Sequence, residues 1–241
     1  MSERDQLPDE QAVLDSGPRP LEPSELEERL ARHSEWLESR GQAGERASFE
    51  RALMQDAYLQ GANLRGAIFS QANLQGAELQ NADLFKADFT QANLQGASLH
   101  KARLRQANLE GGHLIGAILQ AADLTQARMQ RCDLRDADLL ESVLRQADLA
   151  EAYCRAANFF MADLRGAQCG EAILCGADLQ GAELAGADLR RCQIQDARLA
   201  GADLEGAQLQ GADLLDSMGL TADQIAAARS DETTRLPTYL R

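Results

Sequence analysis

One spacing constrains this chain more than any other feature: small and large apolar residues recur every five positions over residues 47–217. The first position of each unit, at 47, 52, 57 and onward, is alanine in 30 of 35 instances. The position two residues later is leucine in 25 of 34 instances, and its exceptions are also apolar. Because no insertion interrupts the series, one small unit of structure must repeat throughout these residues.

A period of five fits neither regular secondary structure. On an α-helix, leucines five residues apart would wind around every face, and on a flat strand they would alternate between opposite faces. Within each unit, however, the alanine and the leucine are two residues apart, which is the spacing of side chains on one face of a strand. We therefore expect short extended pieces separated by turns. Glycine at the turn positions, as at Gly61, Gly76 and Gly96, suits this arrangement.

The repeated unit resembles that of a known family. Stretches such as "GANLR", "QANLQ" and "GADLE" follow the pattern A(D/N)LxG. This pattern resembles the repeat of the pentapeptide-repeat proteins. The resemblance implies an all-β solenoid, a right-handed quadrilateral β-helix in which four units make one coil and residues 20 apart stack. The alanine and leucine side chains would face inward, and the other three residues outward. Phe49, Phe69 and Phe89 are 20 residues apart and should then form an internal ladder.

The resemblance and the local sequence together divide the chain into four parts. We expect an acidic disordered arm at 1–23, a capping helix with a linker at 24–46, the repeat β-helix at 47–217, and a C-terminal helix with an extended tail at 218–241. The two short α-helices would cap the ends of the solenoid, since an open end is an unpaired sheet edge.

Both predicted helices carry helix-start signals. Ser24 with Glu27 predicts a capping box at the start of the first helix, and Thr221 with Gln224 predicts another at the start of the second. In the first helix, His33 shares one face with the leucines, and we interpret it as part of that face.

Composition and charge narrow the class of protein. The net charge of −14 argues against nucleic-acid binding and against a basic membrane-surface protein. The N-terminal residues lack the apolar core of a signal peptide, and no apolar run is long enough to span a membrane, so we expect a cytoplasmic protein. The five cysteines are odd in number and form no CxxC pair, which favours reduced thiols. Four of them fall at inward positions, whereas Cys175 falls at an outward position where its thiol can be exposed.

No constellation of residues predicts catalysis, a cofactor or a metal site. Three histidines are present: His33, His100 and His113. None has a partner at the spacing of a metal site or a catalytic triad, and no phosphate loop, nucleophile elbow or EF-hand pattern occurs. Four carboxylates cluster within one coil: Asp133, Asp136, Asp138 and Glu141. Arginines lie nearby, so we interpret this cluster as a solvated, partly paired surface rather than a cation site. We predict that the chain is not an enzyme.

Large apolar residues at outward positions are the best candidates for partner contact. They form two groups: Leu140, Val143, Phe160 and Met161 in one, and Tyr153 and Ile173 in the other. Such side chains have no internal task, and a contiguous exposed apolar patch often marks an interaction site. The alternative is that they are scattered surface hydrophobes, which are common in soluble proteins. Another outward column alternates arginine and aspartate, and its charges nearly cancel.

Two functions follow from these observations. The first is a non-catalytic scaffold that docks an unidentified protein partner on a rigid acidic rod. The second follows from the resemblance: some pentapeptide-repeat proteins mimic DNA, dimerise through a C-terminal element and bind DNA gyrase or topoisomerase IV. Residues 47–216 carry a net charge of only −8, whereas DNA of the rod's expected length, about 40 Å, would carry roughly 24 charges. We therefore favour the scaffold and keep the gyrase modulator and a homodimer as alternatives.

Overall fold

A computed structural model describes residues 20–240 of the chain. In it, parallel β-bridges join residues 20 apart along the repeat region, from Ser48 with Ile68 to Arg198 with Met218. Four bridge positions recur in every 20 residues, so each coil has four sides and stacks directly on the next. Most of the predicted acidic arm, residues 1–19, lies outside the described residues.

The coils are held together by a repeating backbone hydrogen-bond pattern. The N–H of a leucine-position residue typically donates to the next coil, as from Leu74 to the carbonyl of Asn93 at 2.7 Å. Within a unit, the N–H of Ala77 donates to the carbonyl of Leu74 at 3.0 Å and closes the turn. The corner residue between them, Gly76, has a φ of 68°, in the left-handed region that glycine adopts without strain. Gln71 occupies the equivalent corner with a φ of 58°.

The frequent Asp or Asn before each leucine stabilises the same corner. Its side-chain oxygen accepts a hydrogen bond from the backbone N–H two residues later, as from Thr125 to Asp123 at 3.0 Å and from Gln180 to Asp178 at 3.1 Å. This local bond is the one that makes Asp and Asn favourable in turns. Where Asp or Asn occupies this position, the residue type therefore reflects turn chemistry and is not by itself a sign of a binding site.

The interior contains the alanine and leucine rows, as the sequence predicts. Apart from Ala52, Ala57 and Ala62 in the first coil, which are partly buried, side chains at these positions are almost wholly buried, including the small substitutes Cys132 and Ser142 in the alanine row. The predicted aromatic ladder is confirmed: the ring centroids of Phe49 and Phe69 are 5.0 Å apart, and those of Phe69 and Phe89 are 4.8 Å apart.

The N-terminal helix, α1, spans Pro23–Glu38 and covers the first coil. The predicted capping box was wrong, because the N-cap is Glu22 and no side chain caps the helix. Pro23 occupies the first turn instead, where its fixed φ suits a helix start and its missing N–H costs nothing. Leu21 already belongs to the ordered structure, since its N–H donates to the carbonyl of Leu53 at 3.1 Å.

Helix α1 satisfies the exposed backbone edge of the first coil. The guanidinium of Arg29 donates to the carbonyl of Ser48 at 2.5 Å, and the N–H of Ala47 donates to Nδ1 of His33 at 3.1 Å. His33 is therefore buried against the coil, and burial together with nearby Arg46 lowers the pKa of its imidazole. These contacts close an edge that would otherwise be open to pairing with another chain.

The second helix, α2, spans Ala222–Ala227 and lies at the opposite end of the solenoid. Its predicted capping box is confirmed, with Thr221 and Gln224 bonding to each other's backbone N–H groups. The side-chain amide of Gln224 also donates to the carbonyls of Leu199 and Ala202, at 3.1 and 2.7 Å. The helix is thus bonded to the edge it covers.

The tail after α2 continues the last coil. Arg229 pairs with Gln208 and Arg235 pairs with Asp213 through parallel bridges, and a short 3-10 turn ends the described chain at Thr238–Leu240. None of the helices within residues 20–240 is long and apolar enough to cross a membrane.

Candidate interaction surface

Three of the four residues in the first predicted contact group lie on one side of the rod or at its corner, whereas Val143 lies on the adjoining side, bridged to Asp123 and Asp163. We call this group the apolar patch: Leu140, Val143, Phe160 and Met161. The N–H of Glu141 donates to the carbonyl of Phe160 at 3.0 Å, which stacks Leu140 and Phe160 on adjacent coils. Phe160 is 38% exposed and Met161 is 55% exposed, while Leu140 and Val143 are half-buried. The apolar patch therefore has two exposed side chains, Phe160 and Met161, and two partly covered ones.

The side of the rod that carries Phe160 also collects most other exposed hydrophobes. Seven large apolar side chains are exposed among the described residues, and five of them lie on this side or its corner. They are Tyr58, Ile118, Phe160, Met161 and Met218. The sequence reasoning singled out only Phe160 and Met161. The positions of Tyr58, Ile118 and Met218 differ by multiples of 20. A comparison of residues 20 apart would therefore have placed these three residues in one column.

The second predicted group lies on a different side of the rod. Tyr153 and Ile173 are joined by a parallel bridge, with Tyr153 about half exposed and Ile173 half-buried. The structure therefore places Tyr153 with Ile173 and Leu140 with Phe160, but it does not bring the two predicted groups to one surface.

Cys175 lies on the same side as Tyr153, and the expectation that it is exposed was wrong. The residue is only 8% exposed, and its Sγ lies 3.1 Å from Oε1 of Gln195 on the next coil. The long glutamine side chain covers the thiol, which sequence position alone does not reveal.

A third side carries the arginine and aspartate column, and its charges pair between coils. Arg65 contacts Asp83 at 3.2 Å, and Asp163 accepts hydrogen bonds from both Arg145 and Arg165. Burial acts to raise the pKa of Asp163, but the hydrogen bonds from the two arginines outweigh it and hold that pKa below its usual value. Arginines on this side therefore engage the carboxylates of Asp83 and Asp163.

The four inward cysteines are buried, and their thiols are expected to be unreactive. Burial raises the pKa of Cys132 and of Cys192 to about 12, and it also raises the pKa values of Cys154 and Cys169. Since the thiolate is the reactive form, these thiols are poor nucleophiles at neutral pH. Within residues 20–240, no three His, Cys, Asp or Glu side chains are grouped to hold a metal ion.

The acidic cluster predicted to be partly paired has one clear ion pair. Arg135 donates to both carboxylate oxygens of Asp133, at 2.7 and 2.5 Å, and these hydrogen bonds lower the pKa of Asp133. Asp138 accepts hydrogen bonds from the side chains of Gln120 and Asn158 on neighbouring coils. Asp133 is therefore paired within its own turn, and Asp138 takes part in hydrogen bonds between coils.

Comparison with known proteins decides the family. The model for pentapeptide repeats matches eight times and covers residues 45–217. The chain belongs to the pentapeptide-repeat family. Its sequence finds no match among the curated proteins.

Several solved pentapeptide-repeat proteins are similar in sequence. HetL, involved in heterocyst differentiation regulation in the cyanobacterium Nostoc, is 28% identical, with 86% of this chain and 92% of HetL covered and a TM-score of 0.30. A protein of the Arabidopsis thaliana thylakoid lumen is 31% identical over 49% of this chain and 74% of its own, with a TM-score of 0.35. QnrB1, a plasmid-mediated fluoroquinolone resistance protein, is 18% identical over 77% of this chain and 90% of its own, with a TM-score of 0.34. The TM-scores are too low to transfer a function from any of them.

Proposed function

We propose that this pentapeptide-repeat protein is a non-catalytic scaffold that docks a protein partner on the apolar patch. The platform would be a right-handed quadrilateral β-helix, closed at its two ends by α1 and α2. The observation that carries the proposal is the pair of adjacent exposed apolar side chains, Phe160 at 38% and Met161 at 55%, on the side of the rod that holds most of the exposed hydrophobes among the described residues.

The physical properties of the patch favour binding. Covering apolar surface releases about 25 cal/mol for each Å² removed from water, and aromatic residues are enriched among the residues that dominate interfaces. Phe160 and Met161 sit on backbone that is hydrogen-bonded to the next coil, as from the N–H of Met161 to the carbonyl of Gln180 at 2.9 Å. A surface held in this way needs little ordering when a partner binds, which preserves affinity.

The character of the outer surface supports a binding role over a catalytic one. The inner space is filled by the alanine and leucine rows, and the inward thiols have raised pKa values. Outside, aspartates such as Asp163 and Asp188 are engaged by arginines on their own side of the rod. Groups already committed to such pairs are poorly placed to act as general acids or bases.

DNA mimicry is the competing function, and the charge distribution weighs against it. A DNA mimic presents unpaired negative charge along its length, as DNA does. On the arginine and aspartate side, ion pairs such as Arg65 with Asp83 and Arg165 with Glu183 neutralise much of the charge. A gyrase modulator therefore ranks below a scaffold with an apolar docking surface.

Affinity capture with matched variants tests the proposal. Tagged wild-type protein, Phe160→Asp and Tyr153→Asp would be incubated with lysate of the source organism, and the bound proteins identified by mass spectrometry. Tyr153 is a suitable control because it is a similarly exposed aromatic residue on another side. We expect a partner that binds the wild type and Tyr153→Asp but is lost with Phe160→Asp. If Phe160→Asp stays folded and captures the same proteins as the wild type, the patch is not the docking surface.

A supercoiling assay separates the two functions. If the protein is a scaffold, micromolar concentrations should leave DNA gyrase activity and its response to a quinolone unchanged. Inhibition or protection of gyrase at these concentrations would support DNA mimicry in place of the scaffold.

A further inference from the structure

His33 is a buried titratable side chain that joins α1 to the first coil. Its imidazole is wholly buried, and its Nδ1 accepts a hydrogen bond from the N–H of Ala47 at 3.1 Å. An imidazole nitrogen can accept a hydrogen bond only when it carries no proton, so the proton of the neutral ring lies on Nε2. The contact between helix and coil therefore requires one protonation state and one tautomer of His33.

The second ring nitrogen of His33 has no hydrogen-bond partner. Its Nε2 is buried and makes no hydrogen bond within residues 20–240. The indole of Trp36 stacks on the imidazole, with 5.6 Å between ring centroids and 12° between ring planes. A stacked indole attracts a cationic ring, but it cannot replace the acceptors that two N–H groups need. A protonated ring would thus be buried with two donors and no acceptor in the described structure, which is costly.

Charged groups from α1, the linker and the first coil line the surface depression beside Ala47. They are Glu25, Glu28, Arg29, Arg32, Glu45, Arg46 and Glu50. Arg29 contacts Glu25 at 2.5 Å. Arg32 contacts Glu45 at 2.9 Å and Glu28 at 3.9 Å. These pairs largely cancel one another's charge near His33.

The two remaining charges of this set differ in their surroundings. Glu50 is exposed on the first coil, where solvent and salt screen its charge. Arg46 donates to the carbonyl of Gly66 and has no ion-pair partner in the described part of the chain. Burial of the ring and, to a smaller extent, the charge of Arg46 lower the pKa of His33. The surroundings therefore favour the neutral ring that the bond to Ala47 requires.

We propose that His33 is a pH-sensitive latch that holds α1 on the first coil when its imidazole is neutral and releases α1 when the imidazole takes a proton. The added proton would lie on Nδ1, so the ring N–H and the N–H of Ala47 would face each other and their hydrogen bond would be lost. Release uncovers the edge of the first coil for pairing with another chain. The latch is independent of the apolar patch, which lies on coils further along the rod.

A fall in pH opens the latch. Because the pKa of His33 is lower with α1 docked than its usual 6.5, the docked state binds fewer protons than the released state. Docking is therefore fully favoured above about pH 6.5 and is lost progressively as the pH falls below that value. One proton changes the ratio of released to docked protein by up to about tenfold for each pH unit.

Amide hydrogen exchange of the whole chain between pH 7.5 and 5, followed by ¹⁵N NMR and corrected for intrinsic exchange, tests the latch. Ala47 reports the hydrogen bond, Leu30 reports α1, and Leu114 in a central coil reports the rest of the fold. A released helix of this length is marginal in water, so its amides should lose protection. His33→Asn keeps an acceptor near the position of Nδ1 and cannot take a proton. His113→Asn is the matched control, because His113 is exposed.

We expect the protection of Ala47 and Leu30 to fall by up to about tenfold for each pH unit below about pH 6.5 in the wild type and in His113→Asn. The protection of Leu114 should stay constant, and His33→Asn should show no pH dependence at Ala47. The proposal is overturned if Ala47 keeps its protection down to pH 5, if Leu30 stays protected while Ala47 does not, or if Leu114 loses protection in parallel. The same dependence in His33→Asn would also overturn it.

If His33→Asn leaves α1 undocked at every pH, the ¹⁵N shifts of the wild-type imidazole decide the question. The latch requires the Nε2–H tautomer of His33 at pH 7.5 and protonation in step with the loss of protection at Ala47. A ring that carries its proton on Nδ1 at pH 7.5, or that stays neutral while the protection falls, would overturn the proposal.

Discussion

Phe159 and Phe160 are adjacent in the chain, yet they belong to the two contrasting surfaces of the coil. Phe159 points into the leucine row and is 1% exposed, whereas Phe160 points outward and is 38% exposed. Their backbone N–H groups differ as well: that of Phe159 donates to the carbonyl of Asp178 on the next coil at 2.7 Å, and that of Phe160 donates to Oδ1 of Asn158 in its own turn at 3.0 Å. The inner ring is enclosed by its own chain, whereas the outer ring is partly open to a partner.

Asp163, three residues later, shows that an outer position can also be completed by its own chain. It is 8% exposed and accepts hydrogen bonds from Arg145 and Arg165. Some outer side chains, such as Asp163, are thus bonded to other side chains of the same surface, whereas others, such as Phe160, are exposed. We place partner binding on the exposed apolar side chains, and the following predictions test that division.

The largest effect on stability should come from the inner ring. Phe159→Ala should lower the free energy of unfolding by about 3–5 kcal/mol, because it removes a buried ring and leaves a cavity. Phe160→Ala should lower it by less than about 1 kcal/mol, since its ring is partly solvated. Urea unfolding of both variants measures the two values. Similar losses would mean that the outer ring is part of the core.

A smaller effect is expected from the self-paired outer surface. Asp163→Ala should cost about 1–3 kcal/mol of stability, because it removes the shared acceptor of two arginines. Asp203→Ala is the matched control: this carboxylate lies in the same column and accepts the turn bond from the N–H of Glu205, without an arginine contact among the described residues. Equal losses for the two variants would show that the arginine contacts add nothing to the turn bond.

Acid should reduce the contribution of Asp163. Its pKa is lower in the folded protein than in the unfolded chain, so its contribution is present above the unfolded pKa of about 3.9 and is lost as the pH falls through the folded value. The stability difference between wild type and Asp163→Asn should therefore shrink below about pH 4. Urea unfolding at pH 7, 4 and 3 measures it, and a difference that is independent of pH would contradict the assigned role.

The smallest response should come from the thiols. The inward cysteines should not react with a thiol reagent in the folded protein, because they are buried and their thiolate forms are disfavoured. Cys175, held against Gln195, should react slowly, so no more than one of the five thiols is labelled. Rapid labelling of two or more thiols would show that the coils open locally.

The regular parts of the fold were predictable from the sequence because each position of the unit has one physical task. Alanine and leucine fill a narrow interior, Asp and Asn accept the turn N–H, and Phe49, Phe69 and Phe89 stack because 20 residues make one coil. Each of these roles depends on neighbouring residues or on the 20-residue period. The positions that fulfil them can therefore be identified from the sequence alone.

The exceptions depended on contacts that periodicity does not describe. The cover over Cys175 comes from the length of Gln195 on the next coil, and the start of α1 came from Pro23 rather than Ser24. A surface depression beside Ala150 and Gly170 was also missed, because it is defined by short side chains rather than by a recognisable motif.

Site-specific photocrosslinking tests the central claim most directly. A photoreactive phenylalanine analogue would replace either Phe160 on the apolar patch or Ala185 on the arginine and aspartate side, and each protein would be irradiated with lysate of the source organism. The account predicts a discrete crosslinked partner from position 160 and none from position 185. If position 160 yields no partner, or both positions yield the same one, the apolar patch is not the docking surface.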